Sequence, residues 1–184
     1  MVRVRRDSTA LFLIDVQERL APVIAGREGL ERRLQVLLEG AAVLGIPLIW
    51  TEQYVKGLGV TIPSVAERAA PRANPIEKLS FSCCPAPGVD DSLRRIAPET
   101  VIVSGIETHV CVLQTCLDLL DGGYLPVLVA DCTGSRHPED REIALRRLEQ
   151  AGVVLTTLES LLFELLEQAG SDEFKAISRL VKPL

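Results

Sequence analysis

Three residues that lie far apart in the chain, Cys111, Asp15 and Lys78, carry the groups needed to attack a carbonyl carbon. Cys111 lies in SGIETHVCVLQTCLDLLDGGY, which reads as the end of a buried strand, a tight turn at Gly105 and a helix whose first turn holds the cysteine. Unpaired backbone N–H groups and the helix dipole at that position favour thiolate over thiol. The same N–H groups suit a developing oxyanion. The plain alternative is a small buried core cysteine. A nucleophilic thiol needs a base. His109 stands two residues before Cys111 on a different side of the helical turn, and His137 lies in a polar loop beside Pro138, so neither is well placed. Asp15, closing the apolar run ALFLI, is better placed, at the end of a central strand; its alternative role is a helix N-cap. Lys78, in IEKLSFS, would keep Asp15 ionised and balance negative charge, or is an ordinary surface lysine. Gln53 and Tyr54 open a long loop at a strand end and are candidate substrate contacts, or loop packing. Cys83, Cys84, Cys116 and Cys132 read as structural.

The elements that must position these groups follow from the apolar runs. ALFLID (10–15), IPLIWT (46–51), TVIVSGI (100–106), YLPVLVADC (124–132) and VVLTTL (153–158) are apolar at consecutive positions, as strands buried on both faces of a parallel sheet are. IEKLSFS (76–82) alternates and reads as a weaker sixth strand. Helical spacing separates the runs: Leu30, Leu34, Leu37, Leu38 and Ala41, then Val112, Thr115, Cys116 and Leu119, then Ile143, Ala144, Leu148 and Ala151. The pattern predicts a three-layer, doubly wound, Rossmann-like α/β domain, one over residues 1–184, with a mainly parallel six-stranded sheet and helices on both faces. Residues 52–75 are rich in Gly and Pro, hold one short helix near Ser64–Ala70 and read as a functional loop. Two helices are predicted from about 159 to 182, packed on the domain's own core or forming a subunit interface. Ligands of such sheets bind beyond the carboxyl ends of the strands, where Asp15, Gln53 and Cys111 fall.

Composition narrows the function classes. The chain has 184 residues, 47% hydrophobic and 24% charged, with a net charge of -5, so it is globular and lacks the basic surface that nucleic acid requires. No apolar run approaches the ~18 residues of a membrane span. Asp15 interrupts the only apolar run near the N-terminus, which predicts no signal peptide and a cytoplasmic protein. Five cysteines, an odd number, argue against a disulfide framework, and two histidines without a Cys-x-x-Cys pair argue against structural zinc. The turn DVQERL after the first strand has no glycine, and no Gly-x-x-x-x-Gly-Lys loop occurs, so a nucleotide site is not expected.

ALFLIDVQERL around Asp15, EKLSFSC around Lys78 and GIETHVCVLQTCLDLLDGGYLPVLVADCTGSR around Cys111 resemble, in this order, the isochorismatase-like cysteine hydrolases, which include nicotinamidases and N-carbamoyl amidohydrolases. The resemblance spans roughly Ala10 to Leu158. TEQYVKGLGVT (51–61) and EFKAISRLVK (173–182) are similar to the branch of isochorismatase-domain proteins with poorly defined substrates. It implies a catalytic triad of Asp15, Lys78 and Cys111, a cis peptide at Ile106–Glu107, and an oxyanion hole from the N–H groups of Glu107 and Cys111. It also implies a small-molecule substrate and a homo-oligomer, while the acidic charge and the short apolar runs predict no nucleic-acid or membrane partner. Nicotinamidases carry Asp-x-His and a further His after the second strand; here that place reads Thr51-Glu52-Gln53-Tyr54, so neither a metal nor another cofactor is expected. Isochorismatases proper lack the cysteine, so Cys111 turns the expectation toward an amide-like C–N bond. Two rivals are a non-catalytic scaffold that kept the fold and a redox-sensing thiol protein. The latter would need Cys116 as resolving partner, on a different face of the same helix.

Overall fold

The structure, a computed structural model, describes residues 3–184. A six-stranded sheet, parallel throughout, runs in the order β3-β2-β1-β4-β5-β6, as the consecutive apolar runs predict. The strands are β1 (Thr9–Ile14), β2 (Leu48–Gln53), β3 (Ile76–Lys78), β4 (Thr100–Ile106), β5 (Leu125–Gly134) and β6 (Val154–Thr156). The helices are α1 (Arg27–Val43), α2 (Val55–Leu58), α3 (Pro63–Ala69), α4 (Pro87–Ile96), α5 (Leu113–Asp121), α6 (Pro138–Ala151), α7 (Leu158–Leu166) and α8 (Asp172–Val181).

Successive strand side chains point to opposite faces, so a fully apolar strand must be covered twice. β1 shows this directly. Leu11 and Leu13 pack with residues of α1, α3, α7 and α8, while Phe12 and Ile14 pack with residues of α4, α5 and α6. Helices on both faces give the three layers. The C-terminal stripes belong to the first of these cores: Leu158, Leu161, Leu162 and Leu165 of α7 and Ile177 and Val181 of α8 are buried in it. Intramolecular packing therefore accounts for both stripes. Among the described residues no helix is long and apolar enough to cross a membrane.

Several expected spans differ. β2 reaches Gln53, two residues past the end of its apolar run at Thr51, β5 runs on to Gly134, and β6 shrinks to Val154–Thr156 because Leu158 opens α7. The weak strand ends at Lys78 rather than Ser82, because the Lys78 ammonium donates to the carbonyls of Ser80 (3.2 Å) and Phe81 (3.0 Å) and curls the following chain around itself. The loop after β2 contains a one-turn helix, α2, in addition to the expected α3.

The strand order sets the site. From β1 the sheet grows through β2 to β3 on one side and through β4 to β6 on the other. The connections leaving β1 and β4 diverge, and a crevice opens where the winding reverses. Asp15 follows β1 directly, and the segment that carries Cys111 follows β4.

Candidate functional site

Asp15 takes a left-handed backbone conformation, with φ of 51°, immediately after β1. Its N–H donates to the Thr51 carbonyl at 3.2 Å, one step beyond the pairing of Ile14 with Thr51. The carboxylate is fully buried, and each oxygen has a donor. Thr51 Oγ1 donates to Oδ1 at 2.8 Å, and Lys78 Nζ donates to Oδ2 at 2.7 Å. The Lys78 and Asp15 side chains are both 0% exposed. Lys78 Nζ also donates to Gln53 Oε1 at 2.7 Å, so its ammonium is held by a carboxylate, an amide and two carbonyls. Burial alone would lower the Lys78 pKa. Acidic groups at Cys83, Asp15 and Cys111 outweigh it and raise the pKa, which keeps the amine charged.

Cys111 lies on the turn Thr108–Val112, wound as one π-helical turn that leads into α5. The N–H groups of Val110 and Val112 donate to the Glu107 carbonyl at 3.0 and 3.2 Å, which closes that turn. The Ile106–Glu107 peptide is cis. The Glu107 carboxylate accepts from the backbone N–H of Arg136 at 3.0 Å and from its Nε at 3.1 Å, which ties the peptide to the end of β5. Cys111 is itself buried, at 6% exposure, and Asp15 has none.

The Cys111 thiol does not behave as its place in a helical turn suggested. Burial first, and the Asp15 carboxylate second, push its pKa up to about 12 against the opposing pull of Lys78. Two negative charges at this spot are unfavourable, so a thiol beside an ionised base keeps its proton at rest. The expected resting thiolate is therefore corrected to a neutral thiol facing a carboxylate.

The two candidate substrate contacts separate. The Gln53 side chain is buried; its Oε1 accepts from Lys78, and its Nε2 donates to the Leu79 carbonyl at 2.8 Å. Both its ends are occupied in holding Lys78 and the chain beyond it. Tyr54 is half-exposed, with φ of 39°, and lines a cavity of about 640 Å³ together with Leu79 and Pro85. Among the described residues no group of three or more His, Cys, Asp or Glu side chains is arranged to hold a metal ion.

Sequence reasoning missed Cys83, Thr115 and the hydroxyl of Thr51. Cys83 is fully buried, with Sγ 3.5 Å from Thr51 Oγ1. Its N–H donates to Thr115 Oγ1 at 3.0 Å, and Thr115 Oγ1 donates to the Cys111 carbonyl at 2.6 Å. One available signal was that Thr51 ends the strand next to Asp15. Another was that Cys83 stands five residues after Lys78 on a chain that has to turn back.

Known proteins share this arrangement of elements. The family model for the isochorismatase domain matches residues 9–160. Isochorismatase domain-containing protein 2 of Bos taurus is 41% identical over 181 residues, which are 98% of this chain and 86% of that protein. The secreted isochorismatase effector Isc1 of Phytophthora sojae is 38% identical over 179 residues, 95% of this chain and 85% of its own. Among solved structures, the MAR1 ribonuclease of Caenorhabditis elegans superposes with a TM-score of 0.90 at 39% identity, covering 98% of this chain and 92% of that one.

Proposed function

We propose, from the premise that this chain belongs to the isochorismatase domain family, that it is a cysteine hydrolase of small amide-like C–N bonds. The observation that carries this reading is the fully buried Lys78–Asp15 pair, at 2.7 Å, whose opposite charges both act on the Cys111 thiol. Burial and the neighbouring carboxylate both favour the neutral thiol, so the reaction starts from Cys111 with its proton in place. Asp15 takes the proton as Cys111 Sγ bonds to the carbonyl carbon, and the electron pair of the C=O bond moves onto oxygen. The N–H groups of Glu107 and Cys111 are the proposed donors to that oxyanion. As it collapses, the C–N bond breaks and Asp15 returns the proton to the leaving nitrogen. Water then attacks the thioester, with Asp15 again as base; the C–S bond breaks, the acid leaves, and Asp15 returns the proton to Cys111 Sγ. Lys78 stays cationic throughout and balances the negative charge that moves between the groups.

Tyr54 at the rim is the proposed substrate contact, whereas Gln53 acts through Lys78. Thr108 Oγ1, buried next to Glu107 and without a partner among the described residues, is a further donor left for a bound substrate. The five free cysteines support a reducing, cytoplasmic setting. Leu79 and Phe81, 74% and 55% exposed beside β3, support a subunit contact in a homo-oligomer. The ribonuclease name of the Caenorhabditis elegans protein suggests a second substrate class. A net charge of -5 and a Lys78–Asp15 pair closed to solvent favour a small substrate instead.

An activated ester such as p-nitrophenyl acetate tests the reading. The expected result is a burst of one nitrophenol per active chain, with an acetyl mass on the Cys111 peptide and neither in Cys111→Ala. Adduct formation that persists in Cys111→Ala overturns the nucleophile assignment. A wild-type chain without burst or adduct is the inert scaffold.

A further inference from the structure

Cys83 belongs to no part of the mechanism above, yet it touches both halves of the site. We propose that Cys83 is a positioning residue for the reaction, acting on the base through Thr51 and on the nucleophile's turn through Thr115. The proposal rests on Asp15 being the base for Cys111.

The directions of the hydrogen bonds follow from chemistry. An ionised carboxylate only accepts, so the single Thr51 hydroxyl proton points at Asp15 Oδ1, 2.8 Å away. Thr51 Oγ1 can then only accept from its other neighbour, Cys83 Sγ at 3.5 Å, and the thiol is the donor. The relay reads Cys83 S–H to Thr51 O–H to Asp15 carboxylate. Burial and Asp15 push the Cys83 thiol up to about 12, so it remains a donor across the working pH range. Polarisation along such a chain strengthens the last bond and fixes the carboxylate plane. Oδ2 is already pinned by Lys78, so the relay decides which lone pairs of Asp15 remain for the Cys111 proton.

The second arm runs through the backbone. The Cys83 N–H fixes Thr115 Oγ1, whose hydroxyl donates to the Cys111 carbonyl. A Ser-, Thr- or Ala-sized residue at 83 preserves this arm, since it uses the main chain. The side chain at 83 therefore acts on the base alone, and that makes the two arms separable by substitution.

The test is alkylation of Cys111 by iodoacetamide, read by mass on the Cys111 peptide, because it needs the thiol and its base but no cleavable substrate. Ala and Ser at 83 are near-equal in size, and one of them donates. Cys83→Ala is expected to slow alkylation of Cys111 about five- to tenfold, the size of one lost hydrogen bond to a charged network. Cys83→Ser is expected to stay within about threefold of wild type. In a Thr51→Val background the relay is already cut, so adding Cys83→Ala changes the rate less than about twofold. Equal rates for Cys83→Ala and Cys83→Ser overturn the proposal, as do effects of Cys83→Ala and Thr51→Val that simply multiply. Should Cys83→Ala fail to fold, Thr51→Ser against Thr51→Val asks the same question from the middle of the relay, and equal rates there overturn it. The ester burst of the wild-type chain is scored separately. Its absence removes the hydrolase reading and leaves the alkylation result to judge the relay.

Discussion

The two ends of the sheet are built from similar residues and do opposite things. At the amino ends of the strands a cavity of about 850 Å³ is lined by Arg3, Arg5 and Arg6, the starts of β1 and its neighbours, and Glu167. The ion pair that Arg6 makes with Glu173 at 3.0 Å stands in water, with side chains 44% and 40% exposed. At the carboxyl ends Lys78 and Asp15 meet at 2.7 Å with no exposure at all. An exposed pair of this kind contributes ~0–1 kcal/mol, because water screens it. A buried pair costs several kcal/mol of desolvation per ion before attraction returns it. The Lys78–Asp15 pair carries that cost and the Arg6–Glu173 pair does not, so the two ends differ in solvent exclusion, which supports the reaction site proposed at the carboxyl ends.

The sharpest test of that contrast uses one glycine from each end. Gly105, with φ of 113°, lies so close to β1 that an added Cβ would stand 2.1 Å from the Ile14 carbonyl oxygen. Gly45, with φ of 68°, lines the amino-end cavity, and an added Cβ there would meet nothing nearer than an Arg6 side-chain nitrogen at 3.9 Å. Gly105→Ala must part β1 from β4 beneath Asp15 and is expected to cost more than about 4 kcal/mol. Gly45→Ala pays the backbone penalty alone, about 1–2 kcal/mol. Urea midpoints of the two variants measure the gap; equal losses would mean the two ends are packed alike.

Next in size is the pair itself. Lys78→Met leaves Asp15 buried without its cation and is expected to destabilise the fold by about 3–5 kcal/mol, besides ending turnover. Arg6→Met, the same change at the exposed end, is expected to cost less than about 1 kcal/mol, with the difference disappearing in high salt. Chemical denaturation at low and high salt checks both. A Lys78→Met loss as small as that of Arg6→Met would show that water reaches Asp15.

How much of this the sequence revealed depends on the range of the interaction. The strands were legible because ALFLI and VIV are apolar at every position, and only burial on both faces explains that. Asp15 and Cys111 were legible as strand-end and helix-mouth groups, whereas Lys78 read as a residue inside the weak strand. The Asp15–Lys78 contact joins residues 63 apart, and Gln53 with Lys78 joins residues 25 apart, so no local pattern reports their bonds. Gln53 looked like a free polar group at a loop entrance, and only tertiary structure shows both its ends occupied. Cys83 read as structural and is indeed fully buried; its contacts with Thr51, 32 residues away, and with Thr115, on which the proposed positioning role rests, have no local signature. The Cys111 thiol was misjudged for a related reason: the local helical turn was visible, whereas the desolvation and the neighbouring carboxylate that outweigh it were not.

The smallest effect follows from that misjudgement. In Asp15→Asn the second-largest cause of the raised thiol is gone, while Lys78 remains to pull the other way. Removing an adjacent like charge shifts a titration by about 1–3 units, so Cys111 is expected to ionise that much below its wild-type position near 12. The thiolate's ultraviolet absorbance, with Cys111→Ala subtracted, reads the change. Stability follows with a fixed sign. The folded chain holds this proton more tightly than the unfolded chain, so wild-type stability is full below the ordinary thiol range and falls as pH rises toward 12. Asp15→Asn flattens the Cys111 part of that fall, and Arg6→Met at the other end leaves it in place. Turnover moves the opposite way, because a thiol that ionises more readily has lost the group that takes its proton during attack. A thiol that ionises no earlier in Asp15→Asn would show that burial alone holds the proton, and the carboxylate would then lose its claim to act on the sulfur.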